Sequence, residues 1–442
     1  MRISWIELPE RIKHELQQRA EEGNNVTAIQ NEWEQILNLK LEEHQLGIQA
    51  EIFYKKLIET PSRNENEQNE PSGWNEIVLQ CHLHSQAKSQ FSPPLIEEKI
   101  LGGWLGRSAG CLLGKPIEKI TRSGSIELLS SNGTWPISEY LTAKGIPDSL
   151  LEKYPWNRHG GKESLRENIV CMAEDDDMNY PMLNLTAYER YGEGFTAEHI
   201  IQTWLELSPV LSTFTAERVA YLNRLSGIFP PQTATIRNPY REWIGAQIRA
   251  DFWGWISPAQ PLRAAEFAWR DSSVSHVQNG MYGEMFFAAA IAISFQQTDI
   301  RMIITEALSC IPARSRLAEA IQFVLSLPIQ DQSWDVTVET LYEKYGTYHW
   351  VHTINNATLV VAALLSSKGD YERAICNVVM GGWDTDSNGA TVGSIMGTIL
   401  GAKKLPAKWI SPLNNTIRSS LKGFDNMLLS DLAARTFKLS NY

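Results

Sequence analysis

Apolar positions recur every three to four residues along most of the chain and strand-like alternation is scarce, so the pattern predicts an all-α protein. Over residues 9–20, Ile12, Leu16 and Ala20 fall four apart, with Gly23 as a stop, which predicts a short amphipathic helix. A second, longer helix is predicted over residues 26–58. Residues 60–73 (TPSRNENEQNEPSG) carry no large apolar side chain and cannot offset their ordering entropy by burial, so they read as a linker. Residues 1–95 are therefore expected to form an N-terminal helical appendage, with the main body over 96–442. Removing residues 1–73 should on this reading leave a folded body. Within the body, helices are predicted over 96–114, 177–191, 197–207, 261–270, 280–295 and 371–379.

Two stretches share an unusual habit. Gly102, Gly106, Gly110 and Gly114 are spaced by four, and Gly389, Gly393, Gly397 and Gly401 repeat that spacing. Each row lies along one helix face, and each interior glycine costs about 1 kcal/mol relative to alanine. Close helix packing is the expected gain. The longest apolar stretch, 285–295, is too short to span a bilayer, so the rows point to a tightly packed core.

Composition narrows the function classes. The 442 residues are 43% hydrophobic and 21% charged, the range of an ordinary globular protein. Forty basic against 51 acidic side chains give a formal charge of -11, which argues against a general nucleic-acid binder. The first eight residues lack the apolar run of a secretory signal, so a cytoplasmic protein is expected. The five cysteines (81, 111, 171, 310 and 376) form no Cys-x-x-Cys pair and suggest reduced thiols. Cys81, His82 and His84 lie close together, but no second pair of zinc ligands accompanies them.

The chemistry concentrates in two acidic clusters. Glu174, Asp175, Asp176 and Asp177 interrupt two apolar segments, and a solvated helix start is the bland account. Asp384, Thr385, Asp386 and Ser387 follow Gly381, Gly382 and Trp383 and precede the second glycine row, with Ser387 a suitable N-cap. Brought together, two such groups would repel one another without cations. Hard divalent ions with oxygen ligands resolve that conflict, and magnesium or manganese pairs about 3.5 to 4 Å apart can share a bridging carboxylate.

These residues resemble the ADP-ribosylglycohydrolase family, over roughly residues 96–437. The likeness rests on four segments in order: GRSAGCLLGKPIE (106–118), EDDD (174–177), Ser275 with His276, and DTDS (384–387). The resemblance implies an all-α domain with a two-magnesium site, manganese being possible, that cleaves the bond between ADP-ribose and its acceptor. It implies Glu174, Asp175, Asp176, Asp384, Asp386 and Ser387 as metal ligands, with Asp386 bridging both ions. Glu118 and Asp176 take the catalytic roles, positioning water or moving a proton. Ser275, His276, Asn279 and Gly280 (within SHVQNG) are the implied nucleotide contacts, with Tyr282 a possible stacking partner. Of the 15 tryptophans, most are expected in the core and some along the pocket.

Three positions depart from the family pattern: Glu174 and Asp177 stand where threonines are usual, and Cys111 where an aspartate is usual. With Glu174 as a ligand, five carboxylates face two divalent ions and leave one net negative charge, which disfavours a phosphate nearby. Alternatively Glu174 points away and a water replaces the threonine hydroxyl. The leading expectation is a metal-dependent hydrolase of an ADP-ribosyl or related ribosyl N- or O-glycoside, small or protein-linked. The rival is a non-catalytic member that binds ADP-ribose or serves as a structural protein, as lens crystallins resembling this family do.

Overall fold

The helical periodicities become twenty-one α-helices and one short antiparallel pair, Thr416–Ile417 with Met427–Leu428, in a computed structural model that describes residues 4–60, 68–81 and 91–441. The helix predicted over 9–20 is Leu8–Glu21 (α1). The single helix expected over 26–58 is instead two, Thr27–Asn38 (α2) and Glu43–Glu59 (α3), broken where Lys40 turns to a φ of 48°. The physical reason is burial: one long rod would leave its apolar stripe in water. The break folds α2 back, so that Trp33 packs on Phe53 with ring centroids 5.0 Å apart. A fourth helix, Trp74–Gln80 (α4), completes the N-terminal portion.

In the body the predicted helices appear with small shifts at their ends, as Pro93–Gly114, Asp176–Tyr191, Ala197–Leu207, Pro261–Ser272, Gln278–Ile293 and Tyr371–Met380. The Gln278–Ile293 helix lies at the centre, buried from Asn279 onward. Among the described residues no helix is long and apolar enough to cross a membrane. His82 and His84, beside Cys81, lie outside the described residues, as do residues 61–67 of the expected linker.

The two glycine rows pack against each other. The helices Pro93–Gly114 and Thr385–Leu400 run antiparallel with Gly102 against Gly397, Gly106 against Gly393 and Gly110 against Gly389. A Cβ added at Gly110 would sit 1.9 Å from the Gly389 carbonyl oxygen, and one at Gly393 would sit 2.1 Å from that of Gly106. The lost helix propensity is thus exchanged for direct backbone contact. Gly401 is the exception in its row: it ends the helix with a φ of 77°.

The described end of the linker is pinned. Buried Glu70 is ion-paired with Arg316 at 2.8 Å, Trp269 Nε1 donates to the Ser72 carbonyl at 3.0 Å, and Tyr282 donates its hydroxyl proton to the Pro71 carbonyl. Over residues 68–73 polar contacts stand in for the burial of large apolar side chains. α1 is equally tied to the body. Arg241 pairs with Glu15 and Glu22 at 2.7 and 2.8 Å, and Gln18 donates to Glu242 at 2.6 Å.

Candidate active site

Antiparallel packing of the glycine helices brings the end of the first beside the start of the second. Lys115, at the helix end, opens a single 3₁₀ turn and Glu118 follows it, next to Asp384, Asp386 and Ser387. Thr385 fastens the junction by donating its hydroxyl proton to the Gly114 carbonyl at 2.8 Å. Ahead of this second helix, Gly382 and Trp383 adopt φ of 84° and 55°, and Trp383 stacks on Tyr342 at 4.4 Å. The helix begins at Thr385, so its N-cap is Asp384; Ser387 lies inside the first turn and donates its hydroxyl proton to Asp177 Oδ2 at 3.1 Å.

The other acidic cluster arrives on a helix N-terminus, where the backbone dipole favours carboxylates. Asp175 caps the Asp176–Tyr191 helix, accepting the Asp177 amide at 2.9 Å. Arg107, fully buried on the first glycine helix, fixes this start. It donates to the Asp177 carbonyl at 2.7 Å, to Asp251 Oδ2 at 2.7 Å and to the Ile248 carbonyl at 2.6 Å.

Two nests of donor atoms result, each with its atoms within 4.8 Å of one another. The inner nest is Cys111, Asp175 and Asp177; the outer is Glu118, Asp384 and Asp386. The Lys115 ammonium lies between them. It contacts Asp175 Oδ2, stands 3.2 Å from Asp386 Oδ2, and is 4.0 Å from Glu118 Oε2. Asn157 donates its amide proton to Glu118 Oε2, and Lys119 pairs with Oε1 at 3.2 Å.

Electrostatics mark this as a site short of positive charge. Burial, reinforced by neighbouring carboxylates, raises Asp176, Asp177 and Asp384 well above the usual carboxylate range. Burial and then Asp386 push Glu118 up to about 7. Asp386 goes the other way: burial opposes ionisation, but Lys115 and hydrogen bonds hold it below its ordinary value. Despite its own burial, Lys115 is held protonated by Asp175 and Asp386. Burial, with Asp175 next, raises the Cys111 thiol, which stays neutral. Three clustered carboxylates in the outer nest are the donor set of a hard divalent cation, so those residues fit the metal that the resemblance implies.

The outer nest opens into a cleft of about 730 Å³ counted to its open mouth. Asp176, Asp177 and Glu217 also face it, and its lining includes the rings of Trp5, Phe214, Trp243, His349 and Trp350. Trp243 and His349 are stacked at 4.1 Å, and Trp5 meets Trp243 edge-on at 6.3 Å.

Glu118, Asp175, Asp176, Asp384, Asp386 and Ser387 are therefore brought together, and Glu174 is not. Its carboxylate accepts from Asn179 at 3.0 Å and lines a separate hollow with Arg418 and Ser419. Extended backbone before the helix sends consecutive side chains to opposite sides. Ser275, His276, Asn279 and Gly280 are also elsewhere, in the interior and off the cleft lining. Ser275 and His276 share a hydrogen bond at 2.8 Å, and Asn279 donates to Glu242 at 2.8 Å. At Gly280 a Cβ would meet the Arg241 carbonyl at 2.5 Å, so this glycine serves close packing. Tyr282 is likewise buried, against Pro71.

Sequence reasoning missed Lys115, Arg107 and Asp177 as members of the site, together with Trp5, Trp243 and His349 on the wall. Lys115 carried a signal, a cation inside the GKPIE stretch three residues before Glu118. Trp5 carried none.

The fold and the carboxylate cluster define a class, and the chain belongs to it: the sequence profile of the ADP-ribosylglycohydrolase family matches residues 92–440. That membership supports a hydrolase of glycosidic bonds. A solved structure titled "ADP-ribosylglycohydrolase-related protein complex" is similar at 16% identity, covering 78% of this chain and 98% of that chain, with a TM-score of 0.47. No curated protein matches the chain.

Proposed function

We propose that the protein is a divalent-cation-assisted glycosidase that hydrolyses an N- or O-ribosyl bond in an ADP-ribosyl or related ribosyl substrate. The observation that carries this reading is the convergence of Glu118, Asp384 and Asp386 within 4.8 Å in a cleft that aromatic side chains also line. A bound magnesium or manganese ion would supply positive charge that orients ribose hydroxyls and a water. Cleavage of such a bond passes through an oxocarbenium-like state, which neighbouring carboxylates stabilise. Asp176, half-buried and facing the cleft, is placed to do so. Glu118, beside the cation nest and with its orientation fixed by Asn157, is the group to move the proton between water and leaving group. The aromatic part of the lining suits a planar group of the substrate.

Turnover of ADP-ribosylated peptides, free ADP-ribosyl compounds and simple ribosides, with and without magnesium or manganese, tests this reading. Loss of turnover in Glu118→Gln with substrate affinity retained is expected. Absence of turnover across the panel, with tight ADP-ribose binding, would instead support a binding protein, a reading favoured by Cys111 at the position where the family has an aspartate.

A further inference from the structure

We infer that this site holds one divalent cation, in the outer nest, and that the Lys115 ammonium serves as a built-in cation where a second ion would otherwise sit. The inference rests on the cation-assisted reading above and narrows the two-ion expectation from the sequence. Three observations carry it. Lys115 Nζ contacts Asp175 and lies 3.2 Å from Asp386, so it occupies the space between the two nests and neutralises the carboxylate expected to bridge them. Its side chain is buried, walled in by the glycine-helix junction. The inner nest is also chemically poor for magnesium or manganese, because its third donor is the Cys111 thiol and Glu174 turns away.

Charge supports the same division. Asp175 and Asp177 in the inner nest already face Lys115 and Arg107, the latter 3.5 Å from Asp177 Oδ1. A divalent ion added there would meet an ammonium a few ångströms away in a buried setting, where like charges repel most strongly. In the outer nest Asp384 faces no cationic side chain within ion-pair distance among the described residues, and the Glu118 and Asp386 oxygens, though each already has a partner, keep second lone pairs for a shared ion.

Manganese titration of the full chain, read by metal analysis and by electron paramagnetic resonance, tests the inference. One manganese per chain with the resolved six-line spectrum of an isolated ion is expected. Lys115→Met should raise the count to two and produce the broadened spectrum of a coupled pair, while Lys115→Arg should hold it at one. Circular dichroism checks that each variant folds, and the wild-type count stands whether or not Lys115→Met does. Two ions per wild-type chain, or one in a folded Lys115→Met, would overturn the inference and leave the glycosidase reading intact. A chain that binds no manganese yet hydrolyses ribosides overturns the inference and the role of a cation together. One that neither binds manganese nor turns over any substrate sinks the glycosidase reading as well.

Discussion

At the acid end of the cleft every carboxylate sits on or beside a helix terminus that backbone contacts hold in place. At the aromatic end Trp5, Trp243 and His349 are held by ring packing between α1's leading segment and the body. The acid end lies wholly within the family-matched residues 92–440, whereas Trp5 lies outside them. The carboxylates are thus lodged in the most constrained part of the cleft, and part of its aromatic lining in a segment outside the family-matched residues. The contrast teaches that the two ends can vary separately.

Four measurements would sharpen or break that division. The largest effect is expected from Asp386→Ala, which should lower turnover by about 10²–10³-fold or more and abolish manganese binding while the helical circular dichroism persists. Full activity in this variant would remove the acid end from catalysis. Next is deletion of residues 1–22, which strips Arg241 of Glu15 and Glu22 and exposes the Trp243 face. Breaking buried pairs costs about 3–5 kcal/mol, so a lower melting temperature is expected, contrary to the free-standing body inferred from sequence. An unchanged melting temperature would restore the appendage reading.

A third, smaller effect is pH-dependent. His14 on α1 and His349 on the body face each other, and burial lowers them to about 4 and about 3. Both are neutral when folded and take up a proton near pH 6.5 when unfolded. Their contribution to stability is therefore complete above pH 6.5 and is lost as the pH falls towards 4. Urea unfolding at pH 7 and pH 5 should differ by roughly 1–2 kcal/mol per histidine, a difference that His14→Phe should reduce. The smallest effect is that of Trp5→Ala. Loss of one aromatic contact, about 0.5–1.5 kcal/mol, should raise KM for substrates bearing a planar group by about 2–12-fold and leave kcat unchanged. Equal losses for simple ribosides would show that Trp5 acts on the acid end instead.

The glycine rows were legible as helix faces because spacing by four survives in one dimension. That they face each other was not, since matching partners 287 positions apart, such as Gly106 and Gly393, requires three-dimensional contact. The DTDS and EDDD segments were readable as carboxylate clusters, yet which member of EDDD points inward depends on where extended backbone gives way to helix, one residue's difference. The same limit explains SHVQNG, polar in sequence but sealed beneath Glu242, Arg316 and the Pro71 segment. Lys115 could be read only once its partners were in place.

The glycine pair has a mechanical corollary. Where helices meet through side chains, a core substitution alters their spacing by tenths of an ångström; here peptide groups touch with nothing interposed. The gap between the strokes that carry Glu118 and Asp386 is therefore gauged by main-chain thickness, a dimension that mutation does not change. Such a caliper lets the surrounding interior drift over generations while the jaws at its tip keep their setting.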